Sequence, residues 1–218
     1  MEFKDLILFE DETLLVVNKP NGLMVEPDRN NHPNLLDFAR KYVHSKYNAP
    51  YVQHLHRLDR PTSGVVLFTK KRECLNILSN QFAERKVEKV YVAISNQFPS
   101  IKEGKLIHWH RKEKKKAKLY TEPVLHAEEA ALEYKTENIY NKCFWTIILK
   151  TGKYHQIRAQ LQFINCSIIG DTEYGSDTLF EDNFIALHAK SLEFTHPVSH
   201  ESITITAPTS DRFNKIPA

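Results

Sequence analysis

The stretch His56-Arg57-Leu58-Asp59-Arg60-Pro61-Thr62-Ser63-Gly64 runs straight into the apolar residues Val65-Val66-Leu67-Phe68, and this junction constrains the chain more than any other. A polar, turn-rich loop feeding a buried strand is where a rigid scaffold presents a reactive side chain. Pro61, Thr62, Ser63 and Gly64 turn the chain tightly just after Asp59. The aspartate can serve that turn alone, by accepting backbone N–H groups, or it can belong to a site.

The rest of the chain reads as short strands joined by polar turns. Ile7 to Phe9 and Leu14 to Val17 flank an acidic turn, and Asn18-Lys19-Pro20-Asn21-Gly22 turns back into the apolar run Leu23 to Val25, supporting a site from beneath. Helices are expected at about 33–46, with Pro33 in the first position and Leu35, Phe38, Ala39, Tyr42 and Val43 on one face, ended by Asn48-Ala49-Pro50. A second is expected at about 71–84, burying Cys74, Ile77, Leu78 and Phe82. Strands follow at Lys89 to Ile94, at Ala130 to Tyr134 and at Cys143 to Leu149, the last apolar on both faces and so central. A helix from Tyr154 to Ile164 places Ile157, Leu161 and Ile164 on one face and His155, Arg158 and Gln162 on a polar side. The close reads as strands around Leu187 to Phe194 and Ile203 to Thr206, with a turn at His196-Pro197. Residues 95 to 125 are charged and lack apolar periodicity, so they read as an excursion outside the core with one short hairpin at Lys105 to His110. The pattern predicts an α+β fold with a largely antiparallel sheet.

At 218 residues one domain spanning 1–218 has a full-sized core. The longest apolar runs span only a few residues, and Met1-Glu2-Phe3-Lys4-Asp5 is no signal sequence, so a soluble cytoplasmic protein with no membrane association is expected. Cys74, Cys143 and Cys166 are far apart and odd in number, which fits reduced thiols and excludes a disulfide framework. His54, His56, His108 and His110 give local pairs without a third ligand, so no metal is expected. The net charge of +3 permits a polyanionic partner without demanding one. Its sharpest local excess, Arg111 to Lys118, has six cations against one acid and suits a solvated loop as well as a nucleic-acid contact.

Taken together, the motifs resemble those of the RluA-type pseudouridine synthases. His56 to Gly64 is similar to the family's signature, Asn18-Lys19-Pro20 with Gly22 to its N-terminal element, and Lys89-Val90-Tyr91 to its tyrosine strand. Thr151-Gly152-Lys153-Tyr154-His155-Gln156-Ile157-Arg158 resembles its second large motif, continuing into Ile169-Gly170-Asp171 and Tyr174-Gly175. Leu187-His188-Ala189, Phe194-Thr195-His196-Pro197 and Ala207-Pro208 resemble its C-terminal elements, so roughly residues 7 to 211 are covered. The resemblance implies a mixed, mostly antiparallel central sheet with flanking helices and a catalytic cleft across it. It also implies a cofactor-free enzyme that isomerises uridines of ribosomal or transfer RNA. This chain looks like a compact, monomeric member without an N-terminal RNA-binding domain of the S4 type.

By that resemblance Asp59 is the catalytic aspartate, Tyr91 the ring beside the target base and Arg158 the ion-pair partner of Asp59. Arg57 is matched to an arginine that holds opened RNA, and Arg60, Thr62, Lys71, Arg72, Lys153, Lys114, Lys115 and Lys116 are the further candidates for RNA contact. Two departures are visible. Asn165-Cys166-Ser167 stands where the family has Gly-x-Pro, and asparagine can take the left-handed conformation that the glycine serves. Lys153 replaces an arginine and keeps charge without the fork. His155 and Gln156 read as structural helix-start residues. The alternatives are a non-catalytic RNA-binding protein on the same scaffold, and a hydrolase using Ser63 or Asp59, which the absence of a G-x-S-x-G elbow disfavours.

Overall fold

The computed structural model describes residues 2–48, 51–179 and 184–216, apart from the side chain of Arg212. In chain order the elements are β1 (Ile7–Glu10), β2 (Leu14–Lys19), α1 (Leu35–Tyr47), β3 (Gln53–His54), β4 (Ser63–Thr69) and α2 (Arg72–Ala83). Then come β5 (Glu88–Ser95), β6 (Glu103–Glu113), β7 (Lys116–Tyr120), β8 (Glu128–Ile139) and β9 (Lys142–Leu149). The chain closes with α3 (Gln156–Phe163), β10 (Leu187–Thr195), β11 (Ser202–Thr206) and α4 (Asp211–Lys215). The fold class is α+β with a mixed, mostly antiparallel sheet, as the strand pattern predicts. Two compact units share the chain, Met1–Glu88 with Ala189–Thr209, and Lys89–His188 with Ser210–Ala218.

In the first unit β2 pairs antiparallel with β1 and β4, and β11 pairs with β10. Leu14, Val16, Val65 and Leu67 share a core with Cys74 and Leu78 of α2 and with Leu192, Phe194 and Ile205. Leu15, Val17, Val66 and Phe68, of the opposite parity, are equally buried, so both faces of β2 and β4 are covered. Each such side chain stabilises the unit by about 1.5–3 kcal/mol. Asp11 closes the β1–β2 turn by accepting from the N–H groups of Thr13 and Leu14 at 2.7 and 2.6 Å. Its other oxygen meets His196 Nε2 at 2.9 Å, while His196 Nδ1 accepts from Val198 and Ser199, so the His196-Pro197 turn is a structural clamp.

Both helices of this unit begin later and bury narrower stripes than expected. The cap of α1 is Asn34, whose side chain accepts from Asp37 N, and Pro33 precedes it. Leu35, Leu36, Ala39 and Val43 are buried, whereas Phe38 lies on the flank and is exposed. Asn48 ends α1 with φ +51°; Ala49 and Pro50 lie outside the described residues. On α2 only Cys74 and Leu78 are buried, and Ile77 faces outward.

The second unit is the run β5-β9-β8-β6-β7. The β8–β9 hairpin turns on Tyr140 and Asn141, both at positive φ, the backbone that suits the twist of a two-residue turn. β9 lies between β5 and β8 as expected, but it buries Cys143, Trp145, Ile147 and Leu149 and leaves Thr146 exposed, so one face is fully covered. The charged segment 95 to 125 is not outside the sheet. β6 pairs with β8 from Glu103 to His110 and turns at Lys114-Lys115 into β7. Leu106, His108 and His110 alternate inward and are buried.

Candidate active site

The loop carrying Asp59 is tied to the turn after β2 through its backbone. Register places Lys19 opposite Gly64, at the mouth of β4. Lys19 is wholly buried, and its Nζ donates to the carbonyls of Arg60 (3.2 Å), Pro20 (3.0 Å) and Leu23 (2.7 Å). Asn21 Nδ2 donates to Pro61 O at 2.6 Å, and Gly22 N donates to Arg60 O at 2.8 Å. Arg60 Nε returns a bond to Gly22 O at 3.0 Å, and Thr62 N closes the turn on Asp59 O. The turn at 18–22 does support the motif from beneath, although Met24 beyond it makes only an isolated bridge with Asn34. Burial pushes the Lys19 ammonium down to about 7, and the nearby Asp59 charge acts against that shift.

Gly64 has φ +119°, and a Cβ there would stand 2.2 Å from the carbonyl oxygen of Ala189. Only glycine allows this approach of β4 to β10. His56 accepts the N–H of Leu67 at Nε2 and stacks on Phe82, which gives it a structural role. Arg57 is exposed and pairs with Glu26, which also meets His54 Nε2 at 3.4 Å. Thr62 is buried, and its Oγ1 has no hydrogen-bond partner among the described residues. Lys71 caps α2 and Arg72 opens it, with the guanidinium over the Tyr51 ring.

In the second unit Tyr91 sits on β5 opposite Ile147, buried. Arg158 is on α3 but not on an exposed polar face: Gln156, Ile157, Arg158, Ala159, Gln160 and Leu161 are all buried. The polar members tolerate this because they are bonded. Gln156 accepts from Thr151 Oγ1 and Lys153 N, and Gln160 donates to the carbonyls of Leu106 and Ala130. Arg158 presents its fork to Asp171, with Nε and Nη2 at 2.7 and 2.8 Å from the two carboxylate oxygens, and Nη2 also reaches Glu173 at 2.8 Å. A 3-10 turn at Thr172–Tyr174 brings the Tyr174 ring 4.8 Å from the guanidinium. Asn165 does take the left-handed conformation, φ +59°, and ends α3 as the glycine would. Lys153 pairs with Glu128.

The basic run divides into committed and open cations. Arg111 pairs with Glu113, Lys112 lies over Tyr154, Lys116 Nζ donates to Glu173 O, and Lys118 lies over Tyr120. Lys114 and Lys115 are exposed, and their side chains have no hydrogen-bonded or ionic partner among the described residues. Sequence reasoning assigned no role to Lys19, Asp171, Glu173 or Tyr174. The signal for Lys19 is its place, because a lysine that ends an apolar strand is drawn toward the interior and must find acceptors there. Among the described residues no group of three or more His, Cys, Asp or Glu side chains is placed to hold a metal ion, and no helix is long and apolar enough to cross a membrane.

The chain as a whole is similar to known proteins. A family model described as RNA pseudouridylate synthase matches residues 13–163. The chain is 34% identical over 219 residues to ribosomal large subunit pseudouridine synthase C of Buchnera aphidicola subsp. Baizongia pistaciae, covering 94% of this chain and 67% of that one. It is 34% identical over 227 residues to tRNA pseudouridine synthase C of Haemophilus ducreyi, covering 92% and 89%. The solved structure of human RNA pseudouridylate synthase domain containing 4 shares the fold, with a TM-score of 0.80 at 22% identity over 97% of this chain and 92% of that one. The sequence signature, the fold and these matches agree, and the chain belongs to the RluA-type RNA pseudouridine synthase family.

Proposed function

We propose that this chain isomerises specific uridines of a structured ribosomal or transfer RNA to pseudouridine, with Asp59 as the catalytic carboxylate. The relatives named for a large ribosomal subunit and for tRNA support that substrate range. The reaction breaks the C1′–N1 bond, turns the base while it is held, forms C1′–C5, and exchanges the C5 proton for one on N1. An ionised carboxylate can attack C1′ or C6, or take the 2′ proton, and each route ends in the same balance. Because a stacked base is out of reach, the target nucleotide is flipped out of the RNA. Tyr91 stacks on the uracil, and its hydroxyl assists loss of the C5 proton. Arg158, its fork held by Asp171 and Glu173, supplies a permanent positive charge that favours the ionised form of Asp59. Arg57 holds the opened RNA, and Arg60, Thr62, Lys71, Arg72 and Lys153 line its approach.

The observation that carries this reading is the backbone anchoring of the Asp59 loop. Arg60 O and Pro61 O, the two carbonyls after the aspartate, are bonded by Lys19, Gly22 and Asn21, so the carboxylate stands on a fixed base within the family's signature. The test is Asp59→Asn with RNA tritiated at uridine C5. The variant binds RNA nearly as wild type does but releases no tritium; turnover within about tenfold of wild type would remove Asp59 from the chemistry. A non-catalytic RNA-binding protein predicts no tritium release from the wild-type chain either.

A further inference from the structure

The basic hairpin β6–β7 touches the groups that hold Arg158, and it does so at its tip. Tyr174 is buried, its ring under the Arg158 guanidinium and its hydroxyl 2.8 Å from the backbone N–H of Ala117. β7 is the last strand of the run β5-β9-β8-β6-β7, so this N–H would otherwise face outward from an edge. Glu173 holds Arg158 by its carboxylate, while its backbone carbonyl accepts from Lys116 Nζ at 2.8 Å. Tyr154 adds a third tie, donating its hydroxyl to Lys115 O at 3.1 Å under the Lys112 ammonium. The Tyr174 hydroxyl also lies 3.1 Å from His155 Nδ1. Burial, with the Arg158 charge beside it, pushes His155 down to about 4, so the ring that meets this hydroxyl is neutral. The result is a bonded chain from Ala117 N–H through the Tyr174 hydroxyl to His155, with the Tyr174 ring fixed beneath Arg158.

We propose that Tyr174 is a positioning residue for Arg158, and that the hairpin docked on it couples RNA phosphate held at Lys114 and Lys115 to the chemical step. The inference rests on the role of Arg158 proposed above. A flat ring held at its hydroxyl cannot shift at that end without shifting under the guanidinium. Ala117 and Lys116 immediately follow the turn that carries the two open lysines. A phosphate that orders the turn therefore orders two of the groups around Arg158, which is how remote binding energy comes to serve the reacting centre.

The test uses the full chain and a structured RNA labelled at uridine C5. Tyr174→Phe keeps the ring and removes the hydroxyl, and Lys116→Met removes the bond to Glu173 O. With enzyme in saturating excess, the double variant should release tritium about tenfold more slowly while its RNA Kd stays within about threefold of wild type. An unchanged rate with a lowered melting temperature makes Tyr174 purely structural and overturns the proposal. A weakened Kd with an unchanged rate makes the hairpin a contact surface only and also overturns it. Should Tyr174→Phe fail to fold, Lys116→Met alone, at an exposed position, must show the slower rate. Arg158→Lys is run beside them. If it is as fast as wild type, the role of Arg158 itself fails; if it is slow while the Tyr174 and Lys116 variants are normal, only the coupling fails.

Discussion

Lys19→Met tests whether the anchoring of the Asp59 loop matters to the chemistry more than to the fold. Methionine fills the buried volume and removes the ammonium. The lysine's fall from 10.5 to about 7, net of burial and the opposing Asp59 charge, corresponds to about 5 kcal/mol at about 1.4 kcal/mol per unit, which the variant recovers. Against this stand three charge-assisted hydrogen bonds, each contributing about 1.5–3 kcal/mol. These terms offset one another to within a few kcal/mol, so the urea midpoint should fall by no more than about 4 kcal/mol of stability. Arg60 O keeps its bond from Gly22 N, but nothing replaces the clip between that carbonyl and those of Pro20 and Leu23. A displacement of the loop by about 1 Å costs about a hundredfold in rate, so tritium release under single-turnover conditions should slow by about thirtyfold or more. RNA affinity should hold.

The pH dependence separates the two roles. Raising pH through about 7 takes one N–H from three carbonyl acceptors, so the wild-type rate should decline there. Stability moves the other way: from about 7 to 10.5 the unfolded chain binds the proton more tightly, and Lys19's contribution to stability rises with pH. In Lys19→Met both slopes vanish. A methionine variant as fast as wild type refutes the reasoning.

Three further outcomes are expected. Gly64→Ala puts a Cβ against the Ala189 backbone at φ +119° and should destabilise by about 4 kcal/mol or more in urea titration, a change under about 1 kcal/mol contradicting the close approach. Lys114→Gln with Lys115→Gln should lower the slope of log affinity against log salt by about 2 and, through the hairpin, slow the saturated chemical step severalfold, and an unchanged slope returns the turn to plain solvent exposure. His155, held at about 4 against 6.5, contributes stability above pH 6.5 that is lost as pH falls toward 4. Urea midpoints at pH 7 and 4.5 should therefore show about 2–3 kcal/mol less of this loss in His155→Gln than in wild type.

The strands around Leu14 to Val17, Val65 to Phe68, Val90 to Ile94 and Phe144 to Leu149 were legible because each is a short apolar run, and the α+β class follows from such runs alternating with helices. The motif loop was legible because tight-turn residues flank a lone carboxylate. Two regions misled for definite reasons. β6 hides its alternation, since the inward positions after Leu106 are His108 and His110, which do not count as apolar until their partners are known; His110 meets Tyr154 O at 2.8 Å and His108 packs on Phe163. α3 looks amphipathic because Gln156, Arg158 and Gln160 are polar, yet each finds bonds inside. A hydropathy pattern reports what a side chain prefers when unpaired, and a well-paired glutamine or arginine escapes it.

The same distinction governs how the positive charge can be used. A net charge of +3 spread over thirty Lys and Arg residues says little about RNA, because many cations are already engaged. Lys19 and Arg158 are buried and bonded to carbonyls and carboxylates, so their charge builds the site. Arg57 and Lys153 are held by Glu26 and Glu128 at the surface, in pairs worth about 0–1 kcal/mol, which a phosphate can displace at little cost. Lys114 and Lys115 need no displacement at all. Affinity should therefore respond first to the hairpin turn and next to the exchangeable pairs, whereas the rate should respond to the buried cations and to the docking of the hairpin on Tyr174. Counting basic residues merges these classes, and the partner already beside each cation separates them.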